Sequence, residues 1–341
     1  MAVQEKDILT IGCANMPEND NDIIGGAAAP SVKLEWEDLS TVGTAKVVSD
    51  ASGDTTQTIN LTGRNVPGEL VTETAMALNG TTFSANSSIT FDRFLKAVKS
   101  ASTTGNVAIV KSTALWTGNI TAAGADYIDL DVTDTPDTNT DAYRFYIIRI
   151  DSAITGAYQL SDCVKYEGSA DPYPYRVHTR DWRIATPSTD AVVSIYEGMI
   201  MNKFSSPAIE VITVVTPFWN LAAEELGGSD VVVYCKGGFY NMHQTKALTS
   251  AYAVELQTGI ETGANDFIQY ALASTLGDTG TSANRLTAPS GYTFNNTDKN
   301  VANSGNFSPN TYQMFWLKLT LPDGQAAQKT FYQLKLVGKS T

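Results

Sequence analysis

The sequence predicts an all-β protein, built from antiparallel, sandwich-like modules behind an extended N-terminal arm. Three observations lead there. Short runs alternate polar and apolar residues at period two, the spacing of half-buried strands. Turn signals recur between them at short intervals, among them Asn79-Gly80 and Pro322-Asp323-Gly324. Threonine favours strands and turns over helix interiors, and it makes up about an eighth of the 341 residues. Helical patterning is scarce, so helix content is expected below ~20%, against a norm of roughly 30–35%.

The elements follow in order. Residues 1–30 read as an arm. The apolar patch Ile8, Leu9 and Ile11 gives way to an acidic and then Gly/Ala-rich stretch ending at Pro30. Such a segment has too few apolar residues to fold alone, and is either a tail or an arm that orders against a partner. Residues 58–62 alternate, as do 69–78, where Leu70, Thr72, Thr74, Met76 and Leu78 form the more apolar face. Asn79-Gly80 marks a hairpin, and strands follow at 89–95 and 107–110. Two more are expected at 127–132 and 143–150, with a Thr/Asp loop between them.

Pro172, Pro174 and Pro187 suggest a boundary, dividing a β domain at 31–186 from a second at 187–341. The second half restarts at 191–196. Residues 209–216 are a β-branched run stopped by Pro217. Residues 221–226 suit one or two helical turns closed by Gly227-Gly228. A buried strand is expected at 231–234, with Gly237-Gly238 as a turn after it, then a long loop at 277–310. Strands at 312–321, with Phe315, Leu317, Leu319 and Leu321 on one face, and at 331–337 close the chain.

Composition narrows the function. Apolar residues reach 43%, enough for a core. Lys and Arg number 23 against 36 Asp and Glu, a net charge of −13, which disfavours nucleic acid as a partner. Cys13, Cys163 and Cys235 are far apart and form no CxxC pair, which excludes a zinc ribbon and a dense disulfide frame. The N-terminus lacks the apolar run of a signal peptide, and no stretch approaches the ~20 apolar residues of a membrane span. No membrane partner is expected.

Catalytic signatures are scarce. His178 and His243 lie 65 positions apart with no HExxH and no third ligand, and read as loop histidines. His178, beside Arg180 and Asp181, is the stronger candidate of the two. GxSxG, a P-loop and a strand-linked GxGxxG are all missing. Asp126, Asp129, Asp131, Asp134, Asp137 and Asp141 supply oxygen ligands of the kind calcium takes, but without EF-hand spacing they read as solvated acids. Tyr173, Tyr175 and Trp182, near Arg176 and Arg180, suit either a stacking surface for sugar or peptide or a plug onto a β core. The plug is favoured, because buried aromatics dominate core energetics. No catalytic, cofactor-binding or metal-binding residue is assigned.

Residues 50–110 carry a familiar order of motifs. Gly53-Asp54-Thr55 leads to Thr62-Gly63-Arg64, then Val71-Thr72-Glu73-Thr74, Leu78-Asn79-Gly80-Thr81 and Phe91-Asp92-Arg93-Phe94-Leu95-Lys96. This stretch, about a fifth of the chain, resembles a β module of structural proteins in tailed-bacteriophage virions. The closing Trp316-Leu317-Lys318-Leu319-Thr320-Leu321-Pro322, with Tyr332-Gln333-Leu334, is similar to the end of an Ig-like or sandwich domain in such proteins. The resemblance implies Ig-like or jelly-roll modules in a non-enzymatic virion structural protein without cofactors. The first expectation is a capsid decoration or cement protein. It would bind the major capsid protein and other copies of itself on the capsid surface, after synthesis in the host cytoplasm. The alternatives are a tail, adaptor or fibre component, or a carbohydrate- or receptor-binding module on the virion surface.

Overall fold

Period-two patterning becomes strand almost throughout. Among the described residues 52% are strand and 3% helix, an all-β, sandwich-like fold as the sequence predicts. The computed structural model describes residues 2–3, 7–34, 39–140, 142–151, 158–169, 172–179, 182, 184–201, 211–218, 230–255, 268–321, 332 and 334–340. The expected helical turns at 221–226, the turn at 322–324, and Asp141, Arg180 and Asp181 lie outside these residues.

The chain forms two compact units. One joins residues 1–36 to 215–341, and the other, residues 37–214, is inserted into it. This corrects the expected division at 30 and 186. Pro172, Pro174 and Pro187 punctuate loops between strands of one barrel inside the inserted unit, so they mark turns and not a linker.

Strands are numbered along the chain. In the discontinuous unit the sheet order is β19 (Ile268–Leu272), β22 (Thr311–Leu321), β17 (Val231–Asn241), β1 (Ile8–Asn15) and β2 (Ile24–Leu34), with β20 (Thr281–Ser282) beside β2. A second sheet orders β21 (Lys299–Asn300), β18 (Leu248–Glu255) and β23 (Leu334–Ser340). The expected N-terminal arm is therefore two strands of the sheet. Leu9, Ile11 and Cys13 alternate onto one buried side, and Ile8 to Ile11 pair with Asn241 to Gly238.

The β17–β22 ladder runs unbroken from Val231 opposite Leu321 to Asn241 opposite Thr311. Met314, Phe315, Trp316 and Leu317 are all buried, so both faces of β22 are covered, and not only the Phe315 face. Gly237 and Gly238 lie within β17, not in a turn after it. A side chain at Gly237 would run into Leu34 Cδ1 and the Phe315 ring, which is why this strand carries glycine there.

The inserted unit opens with a ladder of β7 (Arg93–Lys99), β4 (Thr58–Arg64) and β5 (Leu70–Ala77). A four-stranded sheet orders β15 (Gly198–Met201), β8 (Val107–Lys111), β3 (Gly43–Ser49) and β6 (Thr90–Phe91). Phe91 of β6 meets Phe94 of β7 edge to face at 5.5 Å and lies over Gly63 of β4. Two buried aspartates pin the loops. Asp54 accepts from the Ser49 hydroxyl at 2.6 Å, the Thr104 N–H at 2.8 Å and the Gly105 N–H at 3.0 Å. Asp50 accepts from the Asn106 N–H at 2.8 Å. Asn79-Gly80 is a tight turn with a single bridge, Asn79 to Thr82, and Gly80 holds the left-handed φ of +58°.

Six antiparallel strands then close a barrel in the order β10 (Tyr127–Leu130), β13 (Arg176–Thr179), β12 (Gln159–Tyr166), β11 (Ile147–Ile150), β14 (Val192–Tyr196) and β9 (Trp116–Ala123). Ile120, Ile128, Ile148, Val177, Val193 and Ile195 fill its interior. The strand β16 (Thr213–Val215) lies at the end of the insertion. The strand expected at 143–150 begins only at Ile147, because Phe145 turns the chain with a φ of +68°.

Candidate binding face on the barrel

Alternation along neighbouring barrel strands builds a polar outer face. On β10, Ile128 and Leu130 point inward, so Tyr127 and Asp129 point outward. On β13, Val177 points inward, so Arg176 and His178 point outward. The register sets Tyr127 opposite His178 and Asp129 opposite Arg176. Lys165 of β12 lies opposite His178, and Glu167 follows the end of that strand.

The centre of this face is Arg176. Its Nε and Nη2 donate to the two Asp129 carboxylate oxygens at 2.6 and 2.8 Å. Its guanidinium also stacks between two aromatic rings, 3.9 Å from the Tyr127 centroid and 4.2 Å from that of Tyr173. The bidentate pair fixes the guanidinium plane, and that plane fixes both rings. Beside it, His178 Nε2 donates to Glu167 Oε1 at 2.8 Å, and Lys165 Nζ donates to the same oxygen at 2.9 Å. Burial of Glu167, whose side chain is 6% exposed, works against its charge. The hydrogen bonds from Lys165 and His178 outweigh that and hold the carboxyl below its ordinary range.

The aromatic trio of the sequence splits. Tyr173 is 56% exposed, between Pro172 and Pro174. Trp182 is buried in the barrel core and Tyr175 packs against it. Tyr175 also takes a φ of +61°, which a bulky residue adopts only when its surroundings impose it. The loop is thus anchored by Tyr175 while Tyr173 stays outside.

The acids do not converge. Asp129 is spent on Arg176, Asp131 accepts from Thr133 N–H and hydroxyl at 2.8 Å each, and Asp134 accepts from the Asn119 N–H at 2.7 Å. Asp137 accepts from Asn139 N and Nδ2 at 2.8 Å each. Among the described residues no group of three or more His, Cys, Asp or Glu could hold a metal ion. His243 lies in the other unit, where its Nδ1 accepts from the Thr245 and Lys246 N–H groups. The three cysteines are free and buried, and burial pushes the Cys13 thiol up to about 11 and that of Cys235 to about 12.

Sequence reasoning missed two groupings. One is the partnership of Tyr127 and Asp129 with Arg176. The other is Lys236, 0% exposed in β17, whose Nζ meets Asp278 Oδ2 at 2.7 Å. The same ammonium donates to the carbonyls of Gly26, Gly280 and Asp278 at 2.9, 2.8 and 3.1 Å. It ties β2 and the 278–280 loop to the central sheet, a structural role.

On the barrel face Arg176 is paired with Asp129, and Lys165 and His178 are paired with Glu167. Compared with protein-family models, curated protein sequences and solved structures, the chain matches none of them.

Proposed function

We propose that the chain is a non-enzymatic structural protein of a tailed-bacteriophage virion, and within that class a capsid decoration or cement protein that binds major capsid subunits and other copies of itself. One observation carries the reading. The stretch that resembles virion β modules, residues 50–110, folds as adjoining antiparallel ladders with its loops pinned by the buried Asp50 and Asp54. A particle component gains from this kind of rigidity, because little freedom is then lost on docking.

The route of attachment differs from the one the sequence suggested. With β1 and β2 used inside the sheet, residues 8–34 are not free to order against a partner as an arm. The strand β5, terminal in its ladder and carrying the exposed Leu70, offers an edge to which a neighbour's extended segment adds. The test is to add the purified chain to heads that lack it. A cement protein saturates the heads at high copy and raises their heat or salt tolerance. Recovery with separated tails instead of heads supports the tail, adaptor or fibre reading.

A further inference from the structure

We propose that the outer face of the barrel, centred on the Tyr127–Arg176–Tyr173 stack, is a carbohydrate-binding site. The inference does not depend on the virion reading, since it concerns the isolated chain.

Sugars present two surfaces to a protein, a patch of C–H groups that packs on an aromatic ring and a rim of hydroxyls that needs donors and acceptors. The face supplies both. Tyr173 gives an exposed ring whose position is set in advance. Arg176 stacks on it at 4.2 Å, the flanking prolines limit its backbone, and its own N–H donates to Glu167 Oε2 at 3.3 Å. A tyrosine held in this way loses little conformational entropy on binding, which is what makes rigid aromatics effective contact residues.

Around that ring lie polar atoms with no partner among the described residues. Arg176 uses Nε and Nη2 on Asp129, which leaves Nη1 as a donor. His178 uses Nε2 on Glu167, which leaves Nδ1. The Tyr127 and Tyr173 hydroxyls accept and donate no hydrogen bond among the described residues. A donor-and-acceptor rim beside an exposed ring matches vicinal hydroxyls.

A peptide fits this face less well. An extended peptide adds to a free sheet edge, and β10, β13 and β12 have both edges paired because the barrel is closed. A strongly anionic ligand is also disfavoured, since Asp129 and Glu167 already offset the charges of Arg176 and Lys165 across the face.

The experiment uses the full chain and an array of neutral oligosaccharides of glucose, galactose, mannose, N-acetylglucosamine and rhamnose, with each hit titrated by calorimetry. Binding of at least one of these glycans is expected. Tyr173→Ala should weaken it about tenfold or more, and Arg176→Met should weaken it similarly by freeing the ring. Leu286→Ala, an exposed site in the other unit, should bind as the parent does. Circular dichroism and melting checks keep folding separate from binding, and Tyr173→Phe provides a milder variant that retains the ring. The proposal is overturned if no glycan binds the parent chain. It is equally overturned if Tyr173→Ala binds a hit unchanged, or if the face captures extended peptides and no sugar.

Discussion

Replacing Ile11 by alanine separates a free arm from a structural strand. Ile11 is 0% exposed, between Gly238 of β17 and Lys33 of β2 in the ladder. Removing three carbons from a fully buried isoleucine costs about 2–5 kcal/mol, the lost transfer energy plus the cavity left behind. Against a typical stability of about 5–15 kcal/mol, that is a large fraction. At about 2–4 °C per kcal/mol for a unit of 150–250 residues, the melting midpoint should fall by ~4–20 °C. The same segment holds its own control, because Ile23 is 59% exposed. Ile23→Ala should stay within about 0.5 kcal/mol of the parent chain. Calorimetry and urea unfolding read both variants. If Ile11→Ala melts with the parent and with Ile23→Ala, residues 8–34 do not form the strands described, and the discontinuous unit is wrong.

Three further outcomes follow from the interior. Burial lowers the Lys99 ammonium to about 8, with the Asp54 charge offsetting part of the effect. The unfolded chain, with a lysine value near ~10.4, then holds more protons between about pH 8 and 10.4, so this group makes stability rise with pH across that window. Lys99→Met should raise stability at neutral pH by about 1–3 kcal/mol and flatten the rise, as read by urea unfolding at several pH values. Asp278→Ala should cost about 2–4 kcal/mol in the same assay, because it strands the buried Lys236. Burial raises the Asp278 carboxyl but the Lys236 bond and charge outweigh it and lower it, so this contribution is present above about pH 4 and is lost on acidification. Gly237→Ala should destabilise by about 1–3 kcal/mol on thermal melting, since the new methyl meets Leu34 and Phe315.

These sites also mark where the sequence was legible. The strands expected at 58–62, 107–110 and 191–196 form at Thr58–Arg64, Val107–Lys111 and Val192–Tyr196, because alternation and short apolar runs leave a local signature. Pairing between distant segments leaves none. Most of the first half of β2 is Gly25, Gly26, Ala27, Ala28, Ala29 and Pro30, residues without strand propensity, and this stretch is strand because β1 pairs beside it. The two-unit division was hidden for the same reason, since β1 pairs with β17 from the far half of the chain.

At the candidate site, Tyr173 and Arg176 were legible as an aromatic next to a cation. Their setting was not. Asp129 is 47 residues from Arg176, and only barrel closure brings them together. Asp131 and Asp137, which the sequence offers among the oxygen ligands calcium takes but which read as solvated acids, are held in local turns, because Asp accepts readily from the N–H groups two residues on.

The most direct test of the account is a reconstruction of purified phage particles whose genome encodes this chain, with copy number from quantitative mass spectrometry. The account predicts density for both units on the outer surface of the head, against major capsid subunits and at many copies per particle. Absence of the chain from purified particles would contradict it.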